Sequence, residues 1–354
     1  MARKETRTVY AGAVAIGGKS PVTVQSMLSR PAADVEGNVC QAVRLEAAGC
    51  QILRVSIPHK DDVQLVAAIK NAVSIPLVAD IHFDYRIALA CAEAGVDKIR
   101  INPGNIGSDE KVAAVAFACK SKGVPIRIGV NGGSLEKELL DKYGSPTPQA
   151  LVESALRHVE LLEKHSFYDI VISIKSSNVP VMVEAYRLLS KSCEYPLHLG
   201  VTEAGIYRTG LVKNAMGIGA LMLEGIGDTL RVSLTDEPET EVQAGYDILR
   251  AAGHAVPGAE VISCPTCGRT NIPVIQIAEE VEKRLSNVKI PVKVAVMGCV
   301  VNGLGEGREA DIGIAGGMDC AVLFVKGEKV RTLYGNYVDE LVMEVEKVFS
   351  RQLA

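Results

Sequence analysis

The stretch VISCPTCGR at 261–269 carries Cys264 and Cys267 at C-x-x-C spacing. That spacing suits a zinc site, a thioredoxin-like redox pair or an iron–sulfur cluster, and alone it selects none of them. Further on, Cys299 lies in a glycine-rich stretch, MGCVVNGLGEG at 297–307, which also bears Glu306. Three thiolates from two loops can converge on one metal centre. Zinc would usually require a tighter second pair, C-x-x-C or H-x-x-H; that pair is absent, and only His254 lies near this region. A cluster held by three cysteines and a less usual fourth ligand fits better. By spacing alone the fourth ligand would be Cys320. The glycines at 298, 303, 305 and 307 let backbone come close to the sulfurs.

A second set of reactive residues is spread over the first 255 positions, each in or just after a short β-branched run. Arg54 lies in the second run, Asp80 and His82 end the third, and Arg100 and Asn102 belong to the fourth. Arg127 and Asn131 follow in the fifth, Lys175 ends the sixth, Thr202 and Glu203 close the seventh, and Arg231 and Ser233 lie in the eighth. Five cations on five strands of an acidic chain predict a polyanion site, most simply for a diphosphate. Guanidinium forks match phosphate oxygens two at a time. A local ion pair for each arginine is the plainer reading of any single one. Asp80 and His82, with Glu203 or His198, could instead hold a divalent metal, or serve as partners of the arginines. Glu203 is the best general acid or base, and nearby cations should favour its carboxylate form.

The elements that must position these groups are legible. Strands are expected at 22–27, 51–57, 76–81, 98–103, 125–130, 169–175, 196–202 and 229–235, with amphipathic helical segments between them. Eight βα repeats in about 250 residues predict a TIM (β/α)8 barrel, whose chemistry sits at the C-terminal ends of the strands. No G-x-G-x-x-G follows the first strand, so a dinucleotide fold has no support. The opening TVYAGAVAIGGK reads as a hairpin that could plug the barrel floor. After AAGHAVPGAE the pattern changes to a small α+β domain. The expected division is a barrel over 1–255 and a cluster domain over 259–354. The net charge of -4 argues against nucleic acid. No apolar run is long enough for a membrane span, and the N-terminus lacks a signal-peptide core. A cytoplasmic protein is expected, in which nine cysteines do not form a disulfide framework.

These residues bring a family resemblance into view. SCPTCGR at 263–269 and MGCVVNGLGEG at 297–307, with RINPGNIG at 100–107, VTEAG at 201–205 and RVSLTDEP at 231–238, resemble the bacterial GcpE family of 4-hydroxy-3-methylbut-2-en-1-yl diphosphate synthases. The resemblance spans essentially the whole chain. It implies reductive ring opening of 2-C-methyl-D-erythritol 2,4-cyclodiphosphate in the non-mevalonate isoprenoid pathway. It implies a 4Fe-4S cluster fed by ferredoxin or flavodoxin. Carried over, the cluster ligands are Cys264, Cys267, Cys299 and Glu306, which displaces Cys320. The diphosphate-binding positions are Arg54, Arg100, Arg127, Asn131, Lys175, Arg231 and Ser233. Glu203 is the essential carboxylate, Asp80 and Asn102 line the site, and Asn302 contacts substrate from the cluster domain.

Chain geometry adds a consequence. The last barrel helix ends at the floor, and the connection HAVPGAEV reaches at most about 28 Å. A head-to-tail homodimer, each cluster domain capping its partner's barrel, is therefore expected, and the resemblance implies the same. Two other readings compete. One is a metal-dependent barrel enzyme acting on a phosphorylated sugar, with a zinc-binding C-terminal domain. The other is a zinc-bearing binding module on an inactive barrel.

Overall fold

A computed structural model describes residues 3–286, 288–300, 305 and 307–352. The chain divides into two compact units, Met1–Gly253 and His254–Ala354.

The first unit opens with an antiparallel hairpin, β1 (Val9–Ala11) and β2 (Val14–Ile16). Eight parallel strands follow: β3 (Thr23–Met27), β4 (Ile52–Ser56), β5 (Leu77–Asp80), β6 (Lys98–Ile101), β7 (Ile126–Asn131), β8 (Ile170–Lys175), β9 (His198–Leu199) and β10 (Thr229–Leu230). Their spatial order is β8-β7-β6-β5-β4-β3-β10-β9, and a parallel bridge between Ile172 and Leu197 links β8 to β9, closing the barrel. The strands are buried on both faces, which explains their near-continuous Ile and Val content. The helices between them bury one stripe each. The helix Pro148–Lys164 shows how such a segment is set: Pro148 occupies its first turn, and the Thr147 hydroxyl accepts the Ala150 N–H at 3.2 Å. It turns Leu151, Ala155, Val159 and Leu162 inward. The hairpin packs Val9, Ala11 and Ile16 against Ile52, Val78 and Val171, which stand at or near the starts of their strands. It therefore plugs the floor.

The last two barrel strands are much shorter than the sequence pattern predicts. At Gly200 a Cβ would stand 2.8 Å from the Arg231 carbonyl oxygen, so the two chains approach more closely than a regular ladder with side chains allows. One bond persists beyond the strands, from the Arg231 N–H to the Leu199 carbonyl at 2.9 Å. The chain then opens into the mouth, where Glu203 and Gly205 have φ of 53° and 102°.

The second unit holds a five-stranded sheet: β11 (Ala259–Ser263), β12 (Val292–Met297), β13 (Ile312–Gly317), β14 (Cys320–Val325) and β15 (Glu328–Leu333), in sequential order. The first three are parallel and the last two antiparallel. The helix Val274–Leu285 packs Ile277, Val281 and Leu285 on Val292, Val294, Ile312 and Ile314, and Leu341 and Val345 of the helix Tyr337–Gln352 join that core.

Candidate active site

Strand polarity brings the carbonyl ends of β3 to β10 to one rim, and the predicted cations gather there. Asp80, the last residue of β5, is 1% exposed and receives Arg54 from β4 and Arg100 from β6. Arg54 Nη2 stands 2.5 Å from Asp80 Oδ2, and Arg100 Nη1 stands 3.2 Å from Oδ1. Burial works against the Asp80 carboxylate, but the two guanidiniums overcome it and hold the group well below the usual carboxylate range. His82 lies past the strand end, exposed, its Nε2 3.9 Å from Asp80. Among the described residues, no three His, Cys, Asp or Glu side chains are grouped so as to hold a metal. Asp80 thus serves as the shared partner of two arginines, and His198 is fully buried elsewhere in the interior.

Arg127 on β7 is 1% exposed, and its Nε and Nη1 have no hydrogen-bond partner among the described residues. Burial and the neighbouring Arg54 and Arg100 guanidiniums disfavour its charge, yet an arginine remains charged at neutral pH. Lys175, at the end of β8, keeps solvent access. Desolvation, and then repulsion from Arg54, Arg231, Arg127 and Arg100, push its ammonium well below its ordinary value. Asp80 joins Arg54 to Arg100, the register sets Arg100 beside Arg127, and a Cβ on Gly200 would meet both the Arg231 carbonyl oxygen at 2.8 Å and Lys175 Cε at 3.9 Å, so the five cations share one region.

A cleft of about 610 Å³ adjoins them, lined by Asn131, Gly132, Ser134, Lys175, Ser176, Asn178, Thr202 and Glu203. Glu203 is exposed into it and is one of few non-glycine residues with φ in the left-handed region. Backbone strain of this kind concentrates at functional positions. Asn102 is buried after β6, where its side-chain oxygen accepts the Gly104 N–H at 3.1 Å and caps the short helix Pro103–Ile106. Ser233 is held by Asn214 of the helix Tyr207–Leu223, whose Nδ2 donates to the Ser233 carbonyl at 3.0 Å.

Several contributors were not anticipated. Glu241, 4% exposed on the helix Pro238–Ala251, stands 3.2 Å from Arg231 Nη2 and accepts the Leu234 N–H at 2.9 Å. Gly129 on β7 lies flat against Arg100, whose Nη2 donates to its carbonyl at 3.3 Å. The His158–Glu136 pair, at 2.8 Å, supports the segment after β7, and a Cβ on Gly104 would lie 2.7 Å from His158 Nε2.

In the second unit, Cys264 directly follows β11, and Cys299 follows Gly298 beyond the end of the adjacent β12. The register pairs Ser263 with Val296, so both cysteines come off one sheet edge. The Gly298 N–H donates to Cys264 Sγ at 3.1 Å. Cys267 lies in a turn closed by the Thr270 N–H to its carbonyl at 3.1 Å. The Arg269 N–H, and then its guanidinium, hold the Cys267 thiol below its ordinary value. A Cβ on Gly298 would stand 3.0 Å from both Thr270 and Val274, so glycine lets this turn close on the β12 end. Two sulfurs supplied with N–H donors and a third at the neighbouring strand end fit a thiolate-ligated iron–sulfur group. Cys320 shares the edge, but it begins β14, three strands from β11. At 4.8 Å per strand that is about 14 Å. Glu306 and Asn302 lie outside the described residues.

Comparison with known proteins gives three results. A family model described as the GcpE TIM-barrel domain matches residues 6–246, and one described as the GcpE protein C-terminal domain matches 260–347. The chain is 56% identical over 351 residues to the 4-hydroxy-3-methylbut-2-en-1-yl diphosphate synthase (flavodoxin) of Caldanaerobacter subterraneus subsp. tengcongensis, covering 99% of each. It is 57% identical over 349 residues to the protein of that name from Clostridium perfringens, covering 98% of this chain and 100% of the relative. Among solved structures, the Yersinia pestis dihydropteroate synthase superposes with a TM-score of 0.51 at 14% identity, over 70% of this chain and 98% of that one, a likeness of fold alone.

Proposed function

The chain belongs to the GcpE family, and on that premise we propose that it reductively opens 2-C-methyl-D-erythritol 2,4-cyclodiphosphate to 4-hydroxy-3-methylbut-2-enyl diphosphate, a step of non-mevalonate isoprenoid synthesis. The observation that carries this reading is the convergence of Arg54, Arg100, Arg127, Lys175 and Arg231 at one barrel mouth. So many cations held close together without an equal number of carboxylates are stable chiefly as a receptor for an anion.

In this reading Arg54 and Arg100, fixed by Asp80, and Arg231, fixed by Glu241, present preset forks to the diphosphate. Lys175 and Arg127 add charge, and Asn131, Thr202, Ser233, Asn102 and Asn302 add neutral contacts. Glu203 delivers a proton to the hydroxyl oxygen that departs as water. The overall change takes two electrons and one proton into the cyclic dianion and yields the linear trianion and water. Cys264, Cys267, Cys299 and Glu306 would hold a 4Fe-4S cluster, which when bound supplies the electrons. The relatives' names point to flavodoxin as donor, with ferredoxin the other candidate.

A head-to-tail homodimer belongs to the same proposal. The last barrel helix, Pro238–Ala251, is followed by only a few residues before β11 begins at Ala259. A second copy would bring its cluster unit to this mouth. A cytoplasmic setting belongs to it as well; no helix among the described residues is long and apolar enough to cross a membrane.

The test is direct. Anaerobically purified protein should be brown, hold about four iron and four sulfide per chain, and convert the cyclodiphosphate when given reductant. Colourless protein with one zinc per chain would overturn the reading in favour of a zinc-bearing barrel enzyme.

A further inference from the structure

Beneath the mouth the barrel interior holds polar groups that no described protein atom answers. Lys98, the first residue of β6, is 0% exposed, and its Nζ has no hydrogen-bond partner among the described residues. The same is true of both amide atoms of Gln25, both ring nitrogens of His198 and the hydroxyls of Thr23 and Thr229. The register places Thr229 beside Thr23 on one side and His198 on the other, so these three stand side by side on adjacent strands, and Gln25 lies two residues beyond Thr23 on the same face of β3. Lys98 precedes Arg100 by two residues, hence shares its face and lies about 6.6 Å lower along the strand. The apolar plug of Val9, Ala11 and Ile16 closes the interior from below.

Cations dominate the surroundings of Lys98. Burial first, then Arg127 of β7 and Arg54 of β4, disfavour its charged form. On β9, His198 is disfavoured as an imidazolium by burial and then by Arg127, Lys175 of β8, Lys98 and Arg54. Arg100 of β6 and Arg231 of β10 stand above. The carboxylate of β5, Asp80, is shared by Arg54 and Arg100, and Glu241 is engaged by Arg231. The Tyr186 hydroxyl behind β9 donates to the His198 carbonyl and accepts the Ile174 N–H.

We propose that Lys98 is a proton-uptake site coupled to the anion clamp: neutral while the mouth is empty, it binds a proton when a diphosphate is held above it. The inference rests on the reading of the mouth as a diphosphate clamp. The proton comes from bulk water, adds to the amine lone pair and returns when the anion leaves; no other bond changes. The anion thus turns a buried base without a hydrogen-bond partner among the described residues into one more cation beneath itself.

The experiment is anaerobic calorimetry on the full-length, cluster-loaded protein with the cyclodiphosphate and, separately, trimetaphosphate. Buffers of different ionisation enthalpy give the number of protons taken up. Neither anion has a proton that titrates near neutrality, so uptake reports on the protein. Wild type should take up protons, and Lys98→Met should bind both anions while taking up close to one fewer. The wild-type affinity should accordingly fall up to about tenfold more per pH unit than that of the variant. Equal uptake by the two proteins overturns the proposal and leaves the clamp standing. Failure of wild type to bind either anion removes the clamp, and the proposal with it. Should Lys98→Met not fold, Lys98→Leu gives the same comparison. Stability without anion is an independent readout. Folding lowers the affinity of this amine for a proton, so the unfolded chain binds the extra one, and wild-type stability should gain from Lys98 as pH rises from neutral toward the ordinary lysine range. A variant that keeps the full wild-type slope there overturns the proposal.

Discussion

Gly129→Ala tests the clamp without touching a charge or a ligand-binding atom. A Cβ built on Gly129 would lie 2.3 Å from Arg100 Nε, 2.6 Å from Nη2 and 2.8 Å from Cζ. The backbone there is outside the left-handed region, so the chain itself accepts alanine, and the conflict falls wholly on the guanidinium. Arg100 is only 8% exposed and cannot swing into solvent without leaving Asp80. It would lose the contacts at 3.2 Å to Asp80 and 3.3 Å to the Gly129 carbonyl, and its aim at the anion with them. One charged hydrogen bond to the ligand is worth about 1.5–3 kcal/mol, so affinity should fall roughly 10- to 150-fold. The assay is calorimetric titration of the cyclodiphosphate into cluster-loaded protein, with iron content and thermal midpoint measured on the same sample. The expected result is weakened binding with iron retained. Unchanged affinity would refute the reasoning, because it would mean that the position of Arg100 does not matter to the anion.

Glu203→Gln should abolish turnover in an assay with chemical reductant while leaving iron content and anion affinity near wild type; unchanged turnover removes Glu203 from proton delivery. Glu241→Gln takes the charged partner from Arg231, and about tenfold weaker anion binding is expected from one charged hydrogen bond misdirected; affinity equal to wild type would show that Arg231 needs no anchor. Glu136 pays a desolvation cost, but hydrogen bonds from His158 and Ser154 outweigh it and lower the group to about 2. Its contribution to stability is therefore present above the ordinary carboxylate value and lost as pH falls toward 2. Urea melts between about pH 5 and pH 2.5 should show a shallower acid loss in Glu136→Gln than in wild type, and identical profiles would contradict the pairing.

The barrel was legible because its signal is both local and periodic. Runs such as KIRI and IRIG are β-branched, recur with helical segments between them, and each carry an arginine within a strand that the topology gathers into the barrel. The cysteine edge was legible from spacing, since two parallel neighbours deliver Cys264 and Cys299 together. What escaped depends on contacts between distant elements. The pattern 196–202 reads as a strand, but β9 ends at Leu199, and the glycine that follows lies against the Arg231 backbone, a contact between distant elements that periodicity does not reveal. Glu241 had a signal that went unused: it falls on the same helix face as Gly245 and Ile248, where a carboxylate is costly unless a cation meets it. Lys98 had one too, since alternation along β6 puts it on the inward face of Arg100. Gly129 had none, because its role lies in the flatness of a side chain from the next strand.

The charge pattern of the mouth bears on why a cyclic diphosphate suits it. Asp80 offsets one of the two charges of Arg54 and Arg100, and Glu241 offsets that of Arg231. Arg127, Lys175 and one shared guanidinium charge are left, a formal surplus of three. In a 2,4-cyclodiphosphate each phosphorus bears one ionised oxygen, so the ligand is a dianion. Ring opening then creates a third negative charge on the diphosphate. On the proposed reading the three unoffset cations exceed the bound dianion and are met by the third charge as it develops, which would lower the barrier because that added attraction appears only along the reaction. A proton on Lys98 would lie under that growing charge, in an interior closed from below, where an uncompensated charge counts for most. The carboxylates at the mouth thus have a purpose besides fixing arginines: they keep the cationic excess small enough that the charge gained during the reaction matters.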